Sequence, residues 1–99
     1  MNIPTSFRVA HRTWRVRFKR MNHNHGKTDF NRGVITIDAG LRGNRELLEH
    51  TWLHELLHAC AGTMGWQRVN RDEDRIDALA ALLVQALNTS SGVIDAHKP

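Results

Sequence analysis

Between Arg12 and Lys19 apolar and basic side chains alternate, with Trp14, Val16 and Phe18 set against Arg15, Arg17 and Lys19. A period of two marks a half-buried strand with one apolar and one basic face. Phe7 and Val9 extend it or form a lead-in, so the first strand region covers about residues 7–20. Met21 to Arg32 is polar, carries Asn22, Asn24 and Gly26, and reads as a loop. Val34-Ile35-Thr36-Ile37-Asp38 is a β-branched run too short for a helix, which predicts a strand over about 33–38, closed by a turn at Gly40 and Gly43. The spacing then becomes helical. Leu47, Leu48, Leu53, Leu56, Leu57 and Cys60 recur at steps of three and four, predicting a helix over about 45–61 capped by Asn44 and ended by Gly62 and Gly65. Asn70 is a candidate cap for a second helix over about 71–88, with Asp72, Glu73 and Asp74 in its first turn, where the helix dipole favours acids. Its apolar stripe is Ile76, Leu79, Ala80, Leu83 and Leu87. Trp14, Trp52 and Trp66 are read as core or pocket-lining residues.

This order predicts an α+β domain, with a short antiparallel sheet packed on the 45–61 helix and the second helix beside it. Residues 1–88 form the single domain, and residues 89–99, which lack periodicity, a flexible C-terminal tail. The chain of 99 residues has room for one core. A domain this small buries only about two-thirds of its unfolded surface, so a bound metal would add usefully to its stability. The hydrophobic fraction of 40% is globular, and no segment has the apolar length of a membrane span. Met1 to Phe7 lacks a basic start followed by an apolar run, so no secretory leader is expected. Cys60 is the only cysteine, which excludes a disulfide framework and favours a reducing, cytoplasmic setting.

The net charge of +4 conceals an asymmetry. Residues 1–45 carry ten Lys/Arg against Asp29 and Asp38, a balance of +8, and the remainder carries −4. A basic front half can attract nucleic acid or acidic protein segments, although no recognition helix or base-stacking motif accompanies it. The plainer reading is a solvated strand face.

His54-Glu55-Leu56-Leu57-His58 is an H-E-x-x-H motif inside the first helix. Residues four apart on a helix stand nearly one above the other, so two imidazoles can each give a nitrogen to one tetrahedral zinc. Glu55, turned about 100° from His54, sits beside such an ion, where it can accept a proton from water and pass it to a leaving amine. A catalytic zinc needs a third protein ligand and an open position. Glu73, Asp74 and Asp77 are the candidates. Glu73 is preferred because its position on the second helix faces the first, and Asp77, one turn on, suits a hydrogen bond to a ligating imidazole. His50 continues an i, i+4, i+8 series, but about 40° of drift per step keeps one ion from taking all three from a straight helix. His11, His23, His25 and His97 are read as strand, loop or tail residues without a metal role, and Cys60 as core packing. There is no tyrosine, so oxyanion stabilisation falls to an arginine, a histidine or the zinc.

Three segments taken together carry a resemblance: Gly26-Lys27-Thr28-Asp29-Phe30, Val34-Ile35-Thr36-Ile37-Asp38 and Thr51-Trp52-Leu53-His54-Glu55-Leu56-Leu57-His58-Ala59. They resemble the minimal zinc metallopeptidase-like proteins of bacteriophages and prophages, which are similar in turn to SprT-like and ImmA/IrrE-type zincins. The resemblance spans roughly residues 14–88. It implies a small zincin-like domain, His54 and His58 as zinc ligands, an acid of the second helix as third ligand, and Glu55 as catalytic base. The expected function is hydrolysis of a protein or peptide substrate, with the Val34–Ile37 strand pairing with the substrate as a sheet edge. The other two readings are a non-catalytic zinc-stabilised binding module and a small basic nucleic-acid-binding protein.

Overall fold

The computed structural model of the chain describes residues 1–96. Four strands form one sheet: β1 (Ser6–Val9), β2 (Arg12–Lys19), β3 (Gly26–Asp29) and β4 (Val34–Asp38), in the order β1-β2-β4-β3. The fold is α+β, as the sequence predicts, but the sheet is mixed rather than antiparallel. β1 with β2 and β3 with β4 are antiparallel, whereas β2 and β4 run parallel.

The difference comes from the segment read as a loop. Gly26–Asp29 is a strand, and it forms a hairpin with β4 whose turn is closed by Gly33 N–H donating to Asp29 O at 2.9 Å. Gly33 has φ 66°, a left-handed backbone conformation that favours glycine. With β3 taking the outer place, β4 becomes an interior strand flanked on both sides. The expectation that Val34–Ile37 offers a free edge is thereby corrected; the free edge on this side belongs to β3.

After β4 come a 3-10 turn (Ala39–Gly43) and three helices, α1 (Arg45–Thr63), α2 (Gln67–Arg71) and α3 (Glu73–Thr89). Asn44 caps α1, its Oδ1 accepting from Leu47 N–H at 3.2 Å. α3 begins two residues later than expected because Asp72, not Asn70, is its cap, accepting from Arg75 N–H at 3.1 Å. α1 is enclosed between the sheet and α3, and it buries residues around much of its circumference, Trp52, Leu53, Ala59 and Ala61 among them. They join Trp14, Ile35, Ile37, Leu41 and Ala80 as the buried apolar core, where each fully buried isoleucine contributes about 1.5–3 kcal/mol. Glu49, also buried on α1, accepts from Asn88 Nδ2 at 3.0 Å and so ties the two long helices together at their far end.

Two expectations about packing are corrected. The buried face of α3 is Ile76 and Ala80 with Leu83 and Val84 beside them, while Leu79 and Leu87 are exposed. Trp66 stands in the α1–α2 turn with 55% of its surface exposed. Beyond α3, residues 91–96 form no helix or strand; the end of the expected tail, His97 included, lies outside the described residues. No helix among the described residues is long and apolar enough to cross a membrane.

Candidate metal centre

The i, i+4 spacing on α1 brings the two imidazoles of the H-E-x-x-H segment together, with ring centroids 4.9 Å apart and Nε2 atoms 3.2 Å apart. Glu73, the first residue of α3, meets them from the opposite side. Its Oε2 lies 3.0 Å from His54 Nε2 and its Oε1 lies 2.9 Å from His58 Nε2. Zinc binds nitrogen at about 2.0–2.1 Å, which sets neighbouring corners of its tetrahedron about 3.3–3.4 Å apart. The three side chains therefore stand at nearly the mutual separations of three corners of one coordination shell.

The outer ring nitrogens decide what the inner ones can do. His54 Nδ1 is 3.0 Å from Asp77 Oδ1, and His58 Nδ1 is 2.8 Å from Asn70 Oδ1. Both partners offer an acceptor to Nδ1, an arrangement that can hold each imidazole's proton there and leave its Nε2 free to ligate a metal. Two ring nitrogens and a carboxylate thus converge on one point, a nitrogen and oxygen donor set of the kind that divalent ions accept. His54, His58 and Glu73 thus form a group that could hold a metal ion. Glu73 keeps 65% of its side chain exposed, which leaves the solvent side of the group open.

Glu55 stands beside this point rather than on it, with Oε2 4.0 Å from His54 Nε2. It is 7% exposed. Burial pushes its carboxyl above the usual range, against the lowering influence of the Thr28 hydrogen bond and the two histidines. Thr28 Oγ1 donates to Glu55 Oε1 at 2.8 Å, so β3 fixes the direction of the carboxylate. That contact depends on Gly26. A Cβ there would lie 2.8 Å from Thr51 Cγ2 and 2.9 Å from Glu55 Cγ, and only a bare backbone lets β3 approach α1 this closely.

A cleft of about 580 Å³ opens over the group, lined also by His25, Gly26, Leu47, His50 and Thr51. Of the other residues weighed from sequence, Asp77 is seated behind His54, and Asp74 belongs to neither potential metal group among the described residues. His50 Nε2 lies 3.0 Å from Asp77 Oδ1, in a second cluster with His54 and Asp77 that stands apart from the Nε2 pair. Cys60 is half-buried, does not line the cleft, and has its thiol pushed up by burial, which keeps it protonated. Sequence reasoning missed Thr28 and Asn70. Thr28 lay in a segment taken for a loop, and Asn70 was read as a cap when α2 instead carries it to His58. Comparison of the chain with protein-family models, curated proteins and solved structures returned no match.

Proposed function

We propose that the chain is a zinc-dependent metallopeptidase-like protein of the H-E-x-x-H type, with His54, His58 and Glu73 as ligands of one zinc and Glu55 as general base. The observation that carries this reading is the convergence of two imidazole nitrogens and one carboxylate, with a buried carboxyl set beside them. Zinc held there would supply Lewis acidity, which acidifies water and polarises a carbonyl. Glu55, held by Thr28 and kept largely dry, accepts the proton of the attacking water and returns it to the leaving amine as the C–N bond breaks. The water oxygen ends in the new carboxyl group. His25 and His50 line the cleft, as do Asn24 and Thr51, and a donor to the developing oxyanion would come from among them or from the zinc itself. An extended substrate would pair with the outer edge of β3, whose start at Gly26 borders the cleft.

The test combines metal content per chain with turnover. Wild type should carry about one zinc, His54→Ala and Glu73→Ala should lose it, and Glu55→Gln should retain zinc yet fail to cleave a peptide library that wild type cuts. Zinc retained by Glu73→Ala would remove Glu73 from the ligand set. A second reading, a zinc-stabilised binding module without turnover, is favoured by the small fully buried face of α3, Ile76 and Ala80. A zinc-loaded wild type that cuts no peptide, together with unfolding on chelation, would select that reading over the first.

A further inference from the structure

The cations of β2 are not a linear run but one column of a two-dimensional array. Trp14, Val16 and Phe18 turn inward, so Arg15, Arg17 and Lys19 project from the opposite face of the sheet, and all three are exposed. Same-face residues of a strand stand about 7 Å apart and neighbouring strands about 4.8 Å apart. Arg17 pairs in register with Thr36, and Thr36 with Lys27, so a row of cation, hydroxyl, cation crosses three strands. Arg17 Nε donates to Thr36 Oγ1 at 3.3 Å, which steadies the guanidinium over the sheet. Arg8 adds a further exposed cation on β1. Among the described residues, none of Arg8, Arg15, Arg17, Lys19 and Lys27 has an acidic partner within 4.0 Å.

The two acids of this half stand on the same face, Asp38 in register with Lys19 and Asp29 across Val34 from Arg15, and offset part of its charge, while the row of Arg17, Thr36 and Lys27 holds no acid. Asp38 Oδ1 accepts from the backbone N–H groups of Met21 and Gly40, and Asp29 accepts from that of Arg32. A depression of about 380 Å³ opens where the array meets the β2–β3 loop, lined by Arg17, Lys19, Arg20 and Lys27 with no acidic residue. It has the charge and size for a phosphate group.

We propose that this outward sheet face binds the phosphate backbone of a nucleic-acid duplex without regard to base sequence. Arginine forks match phosphate oxygens in pairs. The spread of cations over three strands suits a broad polyanionic surface rather than the single line of contacts that an acidic peptide makes. Single-stranded nucleic acid is held largely by stacking on aromatic rings. Here Phe7 and Trp14 stack on each other at 6.0 Å and Phe30 meets Trp14 edge-on at 5.4 Å, all on the core side, so the face has no stacking platform. No helix or ribbon projects from it to reach base edges, hence the indifference to sequence. The inference is independent of the metal reading, because none of these cations is a ligand or lines the catalytic cleft.

Fluorescence anisotropy with a labelled DNA duplex of mixed sequence, measured across a salt series on the full chain, tests it. Binding should weaken with salt at a log–log slope of about −3.6 to −4.5, as four to five phosphates release their counterions. The triple variant Arg15→Gln/Arg17→Gln/Lys19→Gln should lose at least about tenfold in affinity and flatten the slope by about 2–3. Arg68→Gln/Arg71→Gln on α2 should change neither. Should the triple variant lose its helical circular dichroism, Arg17→Gln and Lys27→Gln singly should each flatten the slope by about 1. Duplex binding absent at low salt overturns the proposal. So does a polyglutamate peptide or a single strand bound more tightly than duplex, or a folded variant that binds like wild type.

Discussion

His54 has both ring nitrogens engaged, and the outer contact determines the use of the inner one. Asp77 Oδ1 lies 3.0 Å from Nδ1, a contact that holds the plane of the ring and favours a proton on that side when Nε2 ligates a metal. Asn70 does the same for His58. Asp77→Ala should therefore weaken zinc binding by about 10–100-fold without removing a ligand, as read by competition with a chromophoric chelator. An affinity equal to wild type would mean that ring orientation is set elsewhere. A second residue-scale expectation concerns acid. The backbone N–H groups of Gly40 and Met21 hold the Asp38 carboxyl below its ordinary value of 3.8. A carboxyl lowered on folding favours the folded state above its unfolded value, and that contribution is lost as pH falls through the folded value. Asp38→Asn should accordingly melt below wild type near neutral pH, with the gap narrowing as pH falls below 3.8. A gap independent of pH would show that the carboxylate charge contributes nothing.

At the scale of elements, α3 approaches α1 through a small side chain. Ala80 is fully buried, and the helix that carries it also carries Glu73. Ala80→Leu should cost about 1–3 kcal/mol through overpacking and, by displacing α3, should lower zinc affinity as well. Denaturant melts and metal titration of one variant would register both effects; a stability loss with full zinc affinity would mean that Glu73 accommodates the shift.

The elements legible in the sequence are those whose own side chains specify them. Alternation of Trp14, Val16 and Phe18 marks β2, the β-branched run marks β4, and the leucine spacing with Asn44 marks α1. β3 gave no such signal because Gly26-Lys27-Thr28-Asp29 is short and polar, and its pairing with β4 makes it a strand. The same gap hid Thr28 and misassigned the sheet edge. On α3, Leu79 and Leu87 fit an apolar stripe, yet the helix turns Val84 inward instead, since contact with α1 rather than apolar count sets its rotation. The convergence of His54, His58 and Glu73 was open to helix geometry alone. The brace from Asn70 was not, because it depends on α2, a turn of five residues without an apolar period.

For the whole molecule, the cation array and the candidate metal centre fall on opposite sides of one layer boundary. Five exposed cations share the outward face of the sheet, while Glu73 and Asp77 of the candidate metal centre lie on the helical side, where Arg68, Arg71 and Arg75 are exposed as well. Glu73 on α3 and the histidines on α1 make that centre a link between two helices that otherwise meet through few fully buried side chains. Zinc at 1,000 times its dissociation constant stabilises the form that binds it by about 4 kcal/mol. Addition of a strong chelator should therefore lower the thermal midpoint, and return of zinc should restore it. A midpoint indifferent to chelation would separate the metal from the fold.

β2 also bears on how such a chain can change over time. Positions 14, 16 and 18 answer to the core, and positions 15, 17 and 19 answer to solvent and whatever meets the sheet from outside. Because the two sets point to opposite sides, substitutions in one should be nearly additive with those in the other. A library randomised at 15, 17 and 19 would explore new surfaces on a constant scaffold, and selection could give the face a new external partner while the helices of the candidate metal centre stay as they are.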